Sequence, residues 1–271
     1  RNQYPDNWRS ILVAGNTHPP MALRINPLRA TRNETLESFA EAELPVRVLT
    51  NGALLLERPV PVARIPGFAE GCVSVQDAGA QYAALHLDLA DGQRVLDACS
   101  APGGKTAHIL ESADVMLTAL DTDPARARRV SENLDRLGLQ ATVKAADCRD
   151  INRWWNGRPF DRILADVPCS ASGVVRRNPD IKWLRRSDDI SRFAAQQKEI
   201  LEALWQVLAP GGKMLYVTCS VFAEENREQI AGFAARHPDC RCLPIADQPD
   251  CQYLPCADHD GFFYSLLEKA P

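Results

Sequence analysis

From residue 94 onward, short apolar segments alternate with longer segments whose apolar residues recur every three or four positions. This alternation is typical of an α/β fold with a parallel sheet, because each crossover helix returns the chain to the same end of the sheet. Polar residues and cysteines stand at or near the ends of the apolar segments. The segments predicted to be strands are RVLDACS at 94–100, VMLTALD at 115–121, ATVKAAD at 141–147, DRILADV at 161–167 and KMLYVTC at 213–219.

Two long helices are predicted between these strands. The first, PARARRVSENLDRLG, spans residues 124–138, with Pro124 in its first turn and Gly138 at its C-cap. The second spans residues 188–212 and stops at Pro210–Gly211. Ligands of open α/β sheets bind beyond the carboxyl ends of the strands. We therefore expect the residues that end the strands to converge on one crevice.

The first 70 residues differ from the rest, because they are rich in proline and show no sustained alternation. We predict a small α+β domain of RNA-binding type over residues 1–70 and a larger α/β domain over residues 71–271. The chain begins at Arg1 rather than at methionine, so we expect that a further N-terminal domain can precede it. We expect the protein to be a monomer.

The composition indicates a globular protein rather than one that coats nucleic acid through bulk positive charge. Hydrophobic residues make up 45% of the chain and charged residues 24%, which are ordinary values for a folded domain. The net charge of −4 and the pI near 5.8 leave room only for a local basic groove. The sequence contains neither the run of about 20 apolar residues that a membrane span needs nor a signal-peptide core. We therefore expect a cytoplasmic protein that does not bind membranes.

One local basic segment, VVRRNPDIKWLRR, spans residues 174–186. Its cationic side chains can hold RNA phosphates, and Trp183 can stack on a base. The alternative is a solvated charged face with no partner. The residues predicted to bind RNA are Arg176, Arg177, Lys182, Arg185 and Arg186.

Nine cysteines raise the question of disulfides or zinc. The odd number, the wide scatter and the absent secretory signal disfavour a disulfide framework. Near the C-terminus the cysteines are spaced C-x-C and C-x4-C, unlike the paired C-x2-C of common structural zinc sites. Although His237 and His259 are near in sequence, we expect reduced thiols and no metal at Cys240, Cys242, Cys251 and Cys256.

The segment LDACSAPGGKT, residues 96–106, is a predicted strand followed by a turn of small residues and a helix. Gly103 and Gly104 permit a close approach of the backbone, and the N-terminus of the helix offers free N–H groups to an anionic or zwitterionic ligand. A phosphate-binding P-loop is excluded, because no glycine stands at its first position. A dinucleotide-binding turn is excluded, because the spaced glycine triplet is absent.

Acidic residues at two other strand ends indicate which ligand the turn holds. Asp121 ends the second strand, where a carboxylate can accept from both ribose hydroxyls. Asp147 ends the third strand and can meet an adenine edge. Each acid taken singly is more often a helix cap or a turn residue. Together with the glycine turn, they predict an adenosyl cofactor.

Four segments together resemble the motifs of the S-adenosylmethionine-dependent RNA cytosine-C5 methyltransferases. They are DACSAPGGKT, LDTDPARARRVSENLDRLG, FDRILADVPCSASGVVRRNPDIKW and LYVTCSVFAEEN, and LRIN and VQDAGAQ extend the similarity to most of the chain. The resemblance implies a Rossmann-like class I methyltransferase sheet with helices on both faces, preceded by the small α+β domain. It also implies that S-adenosylmethionine is held by Cys99, Ser100, Ala101, Pro102, Gly103, Gly104, Lys105, Asp121, Asp147 and Asp166.

Two strand-end cysteines match the chemistry that carbon 5 of cytosine requires. This carbon is a poor nucleophile until a thiolate adds to carbon 6, and the proton on carbon 5 must later leave before the covalent bond can break. From the residues alone either cysteine can attack, and two inert buried cysteines are a further alternative. The resemblance implies that Cys219 is the nucleophile and that Cys169 releases the product. DNA cytosine methyltransferases, by contrast, imply the exchanged roles.

Asp166 opens the segment DVPCS and can hydrogen-bond the N3 and N4 edge of the cytosine, with a strand-end cap as its alternative role. Lys105 can steady that aspartate or remain solvated. The resemblance implies an RNA substrate, with 16S ribosomal RNA favoured and another RNA such as tRNA as the alternative. The competing hypotheses are a methyltransferase for DNA or a small molecule, and an RNA-binding scaffold without turnover.

Overall fold

A computed structural model describes residues 1–248 and 250–271 of the chain. Its α-helices are α1 (Trp8–Ala14), α2 (Arg32–Glu41), α3 (Tyr82–His86), α4 (Gly104–Ser112), α5 (Pro124–Leu137), α6 (Ile151–Trp154), α7 (Ile181–Leu184), α8 (Ser187–Val207) and α9 (Arg227–Arg236). Its strands are β1 (Ala22–Ile25), β2 (Val46–Val48), β3 (Leu54–Leu56), β4 (Val73–Val75), β5 (Arg94–Asp97), β6 (Met116–Asp121), β7 (Thr142–Ala145), β8 (Phe160–Asp166), β9 (Leu208–Thr218), β10 (Cys240–Leu243), β11 (Cys251–Tyr253) and β12 (Phe262–Lys269).

An antiparallel sheet with the strand order β2-β3-β1-β4 forms the centre of the small N-terminal domain. Helix α2 begins at a capping box, in which the Thr31 and Glu34 side chains each accept a hydrogen bond from the other residue's backbone amide. The predicted division at residue 70 falls just before β4, the last strand of this sheet. The helix and the strands share a core that contains Leu23, Phe39, Leu54 and Val73.

The second sheet has the strand order β10-β12-β9-β8-β5-β6-β7, with β11 paired to β12. The five predicted strands are β5 to β9, and they lie parallel to one another. The expectation of a parallel sheet is incomplete, because β12 pairs antiparallel with β9 and both β10 and β11 pair antiparallel with β12. The side chains of β12 are buried for most of its length. A strand that is buried on both faces shows no alternation that reports its direction, so this edge was missed.

Helices cover both faces of the second sheet, and the predicted fold class is confirmed. On one face α3, α4 and α5 pack in a core that includes Val95, Val130 and Leu134. On the other face α6, α8 and α9 pack in a core that includes Leu96 and Leu204. Neighbouring residues of β5 thus point into opposite cores, as the two-residue period of a strand requires. Among the described residues, no helix is long and apolar enough to cross a bilayer.

The two long predicted helices form, but one ends earlier than expected. Helix α5 starts at Pro124 after the Asp123 cap and ends at Leu137, before the C-cap Gly138, whose φ of 66° is the left-handed conformation that glycine adopts without strain. Helix α8 ends at Val207, before the predicted stop at Pro210–Gly211. The reason is that the chain enters β9 at residue 208, where it pairs with the start of β8.

A buried ion pair joins the two domains. The Nε of Arg24, on β1, lies 2.7 Å from a carboxylate oxygen of Glu111, on α4. The Nη1 of Arg24 also donates to the carbonyl of Gly104 at 3.0 Å. Because Gly104 belongs to the predicted cofactor turn, the small domain contacts that turn directly.

A second buried charge cluster fixes the loop that follows β8. The Nε of Arg176 lies 2.6 Å from a carboxylate oxygen of Asp260, and both side chains are almost fully buried. Arg177 contacts the other oxygen of Asp260 and lies 2.8 Å from Asp77, which follows β4. These charges hold together the linker after the small domain, the loop after β8 and the turn before β12.

We expect Asp260→Ala to destabilise the protein strongly, because it leaves the buried Arg176 guanidinium without its carboxylate. Breaking a buried ion pair by removing one partner costs about 3–5 kcal/mol. Urea unfolding at equilibrium measures the loss in the free energy of unfolding. Asp258→Ala is the matched control two residues away, because Asp258 pairs with Arg47 at the surface, where ion pairs contribute little. Equal losses in the two variants would contradict the structural role of this cluster.

Candidate active site

The carboxyl ends of β5, β6, β8 and β9 open onto a cleft of about 250 Å³. The structure thereby brings together the strand-end residues that were expected to converge. A larger cleft of about 520 Å³ lies at the opposite ends of β6 and β7, and none of the strand-end acids or cysteines predicted to form the site lines it. The predicted residues that line the smaller cleft are Cys99, Ala101, Asp121, Asp147, Asp166, Cys169 and Cys219.

The turn between β5 and α4 is shaped by hydrogen bonds, one of them to β6, and by one glycine. The Ser100 amide donates to the carbonyl of Leu120 at 2.8 Å, and the Gly103 amide donates to the carbonyl of Ser100 at 2.7 Å. Gly103 has a φ of 98°, and a Cβ there would lie 3.2 Å from the backbone of Val130. Pro102 is exposed, and the first N–H groups of α4 have no partner within the helix.

Two of the predicted cofactor-binding acids have partners in the protein. Asp121 is buried and accepts hydrogen bonds from the amides of Ala101, at 3.3 Å, and Asp123, at 3.1 Å. Asp147 lies 2.7 Å from Nη2 of Arg149, and the hydrogen bond from this guanidinium lowers the pKa of Asp147. Arg149 also contacts Glu199 of α8. The ribose and adenine contacts assigned to Asp121 and Asp147 stay predictions.

Sequence reasoning missed Asp97, which ends β5 in the same way that Asp121 ends β6. One carboxylate oxygen of Asp97 accepts a hydrogen bond from the Thr106 hydroxyl at 2.7 Å, and the other is buried without a partner. Burial is the largest cause that raises the pKa of Asp97 to about 7. The rule that selected the other strand-end acids applies equally to this residue and would have found it.

The two cysteines lie in contact at the base of the cleft, with 3.3 Å between the Sγ atoms of Cys169 and Cys219. Cys169 is buried, whereas Cys219 is half-buried. The hydrogen bond to Cys219, followed by burial, raises the pKa of Cys169 well above its usual value. The pair therefore favours the protonated form of Cys169.

Lys105 contacts Asp166 rather than solvent, with 2.7 Å between Nζ and Oδ2. Burial acts to lower the pKa of Lys105, but the charge and hydrogen bond of Asp166 outweigh it and raise the pKa. Lys105 thus stays cationic beside the carboxylate that lines the cleft. Of the two alternatives for Lys105, the structure has the contact with Asp166.

Glycine allows the loop after β8 to approach the loop after β9. The Gly173 amide donates to the carbonyl of Cys219 at 2.8 Å. A Cβ at Gly173 would lie 2.6 Å from the carbonyl oxygen of Gly261 and 2.9 Å from that of Cys219. The segment CSASG therefore needs its terminal glycine to place Cys169 beside Cys219.

The prediction that Arg176 binds RNA is wrong, because its side chain is buried. Its Nε pairs with Asp260, and its Nη1 donates to the carbonyl of Cys256 at 2.8 Å. Arg177 is partly exposed, but its guanidinium contacts Asp260 and Asp77. Both arginines fix the loop through acidic partners that the sequence spacing did not reveal. RNA contact by Arg177 stays a prediction.

Residues 182–186 of the basic segment are exposed. Lys182 donates to a backbone carbonyl that follows α1, at 2.8 Å. Arg185 donates to the carbonyl of Ser170 at 2.9 Å, next to Cys169, and Arg186 is exposed nearby. The side chain of Trp183 is 87% exposed. RNA contacts by Lys182, Arg185 and Arg186 stay predictions.

The C-terminal cysteines lie on β10, on β11 and in the turn that follows β11, and they are free thiols. Over residues 1–248 and 250–271, no group of three or more His, Cys, Asp or Glu side chains is arranged to hold a metal ion.

Comparison with known families identifies the relatives of this chain. A family model described as 16S rRNA methyltransferase RsmB/F matches residues 84–268. The chain belongs to this family. A second model, described as an RsmF/B-like ferredoxin-like domain, matches residues 1–63. The resemblance drawn from the motifs is thus confirmed at the level of the RsmB/F family.

Curated relatives and a solved structure agree with membership of the RsmB/F family. "Ribosomal RNA small subunit methyltransferase B" of Vibrio cholerae is 48% identical over 99% of this chain and 63% of that protein. The protein of the same name from Salmonella newport is 49% identical over 99% of this chain and 64% of that protein. A methyltransferase homolog from Pyrococcus horikoshii is 26% identical, with a TM-score of 0.85 over 98% of this chain and 92% of that one. The chain therefore spans less than two thirds of the two curated relatives.

We expect Cys219→Ala to lower the pKa of Cys169, because it removes the hydrogen bond that is the largest cause of the raised value. Alkylation of Cys169 by iodoacetamide, followed by peptide mass spectrometry across a pH series, reports this pKa as the midpoint of the rate profile. If the substitution only gave iodoacetamide better access to Cys169, the plateau of the rate profile would rise and its midpoint would not move. Cys256→Ala, which removes an exposed thiol before β12, is the control. An unmoved midpoint in Cys219→Ala would count against a shared proton.

We also expect Asp97→Asn to flatten the pH dependence of stability. The pKa of Asp97 rises on folding from 3.8 to about 7. Its contribution is therefore fully present below about pH 3.8 and is lost as the pH rises through about 7. Urea unfolding at several pH values in this range measures the slope of the free energy of unfolding against pH. Asp91→Asn, at an exposed position before β5, is the control and should keep the slope of the unsubstituted protein. A slope that Asp97→Asn leaves unchanged would contradict the assignment.

Proposed function

We propose that this protein transfers a methyl group from S-adenosylmethionine to carbon 5 of a cytosine in RNA, with 16S ribosomal RNA as the substrate. The observation that carries the proposal is the contact of two sulfurs, 3.3 Å apart, at the base of a cleft that Asp166 also lines. Membership of the RsmB/F family and the name of the curated relatives support the ribosomal substrate.

Two adjacent thiols suit this reaction because it needs one group to open the ring and another to restore it. The thiolate of Cys219 adds to carbon 6 of the cytosine, and carbon 5 becomes nucleophilic. Bound S-adenosylmethionine supplies the electrophilic methyl group that carbon 5 takes. Carbon 5 then carries both a methyl group and a proton. Removal of that proton by a nearby base expels the Cys219 thiolate from carbon 6 and restores the aromatic ring.

The unequal environments of the two cysteines support Cys219 as the nucleophile. A thiol that retains its proton is a poor nucleophile, and the raised pKa of Cys169 favours its protonated form. Once Cys219 is bonded to carbon 6, its negative charge no longer opposes ionisation of Cys169. Cys169 can then ionise and accept the proton from carbon 5. The exchanged assignment would require attack by the more buried sulfur.

The pair of Lys105 and Asp166 suits the polar edge of the cytosine. The carboxylate of Asp166 lines the cleft that Cys169 and Cys219 also line, where it can accept a hydrogen bond from the amino group at N4, and from N3 once that nitrogen carries a proton. Lys105 holds this carboxylate at 2.7 Å. A fixed carboxylate can stabilise the positive charge of a ring that is protonated at N3, and it needs no reorganisation during the reaction.

The residues around the glycine turn fit S-adenosylmethionine. The unpartnered, buried oxygen of Asp97 is an acceptor suited to the ammonium group of the methionyl part. The N–H groups at the start of α4 suit its carboxylate. Asp121 would hold the ribose, and Asp147 would lie toward the adenine.

The exposed part of the basic segment supports an RNA substrate. Lys182, Arg185 and Arg186 would hold phosphates, and the exposed indole of Trp183 would stack on an unpaired base. Arg185 is placed next to the reaction through its bond to the carbonyl of Ser170. A base must leave its stack to enter so narrow a cleft, and single-stranded RNA makes this inexpensive in free energy.

Transfer of tritium from labelled S-adenosylmethionine to RNA tests the proposal. We expect incorporation into cytosine of 16S ribosomal RNA that lacks the modification, and much less into tRNA or DNA. Cys219→Ala should abolish incorporation. Cys169→Ala should trap the covalent adduct, so that protein and RNA migrate together on a denaturing gel, because the proton on carbon 5 is not removed.

Cys256→Ala is the control and should retain full transfer and no trapped adduct. Exchanged phenotypes of the two cysteine variants would overturn the assignment of roles. Absence of incorporation into any RNA by folded, cofactor-bound protein would overturn the function, and preferential labelling of tRNA or DNA would overturn the substrate.

A further inference from the structure

A buried carboxylate lies between the two loops that carry the cysteines. Glu225 ends a short helical turn between β9 and α9, and its side chain is fully buried. It accepts hydrogen bonds from the Ser170 amide at 2.8 Å, from the Ser170 hydroxyl at 2.6 Å and from Gln197 at 3.1 Å. It also accepts a hydrogen bond from the Ser220 hydroxyl.

The two serines that Glu225 binds are the residues that follow the two cysteines. Ser170 follows Cys169 in the loop after β8, and Ser220 follows Cys219 in the loop after β9. The distance between the two sulfurs therefore depends on how these loops are joined. Glu225 reaches both loops with one planar group.

Burying a carboxylate in a protein core costs free energy, which burying an apolar side chain of similar size does not. Its desolvation is offset only if its oxygens are fully hydrogen-bonded, and a well-packed apolar side chain often stabilises a fold as much or more. Hydrogen bonds to an ionised acceptor, however, are shorter and more directional than neutral ones. Such a group suits a place where the separation of two loops must be held within a fraction of an ångström.

We propose that Glu225 is a positioning residue that fixes Cys169 and Cys219 in contact by tying together the serines that follow them. This inference rests on the proposed function, because it assigns a role within the same site. A displacement of about 1 Å between reacting groups can cost roughly 10²-fold in rate. The tie therefore acts on chemistry through the two sulfurs and does not touch the substrate.

The charge of Glu225 has a further effect on the nearby thiol. After the hydrogen bond to Cys219 and burial, the negative charge of Glu225 is a smaller cause that also raises the pKa of Cys169. Removal of this charge is expected to lower the pKa of Cys169 even if the loops keep their places.

The experiment compares Glu225→Gln with the unsubstituted protein by three measurements. The first is the equilibrium of disulfide formation between Cys169 and Cys219 in glutathione buffer, in which two thiols are oxidised and glutathione disulfide is reduced to two glutathiones. We expect the equilibrium constant to fall by about tenfold, because the effective concentration of the two thiols falls. Mass spectrometry of the linked peptides follows it.

The second measurement is the single-turnover rate of methyl transfer, which we expect to fall by roughly 10²-fold while cofactor affinity is unchanged. The third is the midpoint of the pH profile for alkylation of Cys169, which we expect to fall. Glu111→Gln is the matched control, because Glu111 is an equally buried, ion-paired carboxylate on α4, on a different element from either cysteine. It should lower the melting temperature and leave the disulfide equilibrium unchanged.

Ser220→Ala provides a second variant if Glu225→Gln fails to fold, since it removes one donor and keeps the carboxylate with Ser170 and Gln197. It should lower the disulfide equilibrium constant by a smaller factor. A folded Glu225→Gln variant with an unchanged disulfide equilibrium, whatever its melting temperature, would overturn the inference. The disulfide readout requires no RNA, so a lowered constant in a protein that methylates nothing would overturn the proposed function and leave the positioning role intact.

Discussion

The contact between two sulfurs at the ends of adjacent parallel strands is the constraint on which the site depends. Strands β8 and β9 are neighbours in the sheet, so their carboxyl ends lie side by side and the residues that follow them meet. Sheet pairing alone brings the loops near each other. The close approach that gives 3.3 Å between Cys169 and Cys219 needs the absent side chain of Gly173 and the carboxylate of Glu225.

The arrangement of charge around the cleft follows one pattern, in which each buried ionic group has a partner on another element. Lys105 of α4 meets Asp166 at the end of β8, and Arg176 meets Asp260. One carboxylate oxygen of Asp97, by contrast, is buried without a partner. This oxygen therefore remains an acceptor for a cationic group of a ligand.

The strands and long helices from 94 to 219 could be predicted from the sequence, because local period and strand-end residues report directly on a parallel sheet. The mistakes concern what local pattern cannot carry. The direction of β12 depends on pairing with β9, and the burial of Arg176 depends on Asp260, 84 residues away. Asp97 ends a strand, as the predicted site acids do, and was overlooked. Glu225 stood in a segment singled out for its cysteine, but only the folded loops reveal that it reaches both serines.

The ion pair of Arg24 and Glu111 couples the two sheets through a buried charge. If the chain were cut near residue 70, the larger fragment would retain Glu111 in an apolar setting with no guanidinium, and the turn at Gly104 would lose a donor from the smaller fragment. Each fragment would then expose a surface that natural folding covers. The small domain thus supports the turn that is predicted to bind the cofactor, and an isolated C-terminal half would be a poor surrogate for the intact chain.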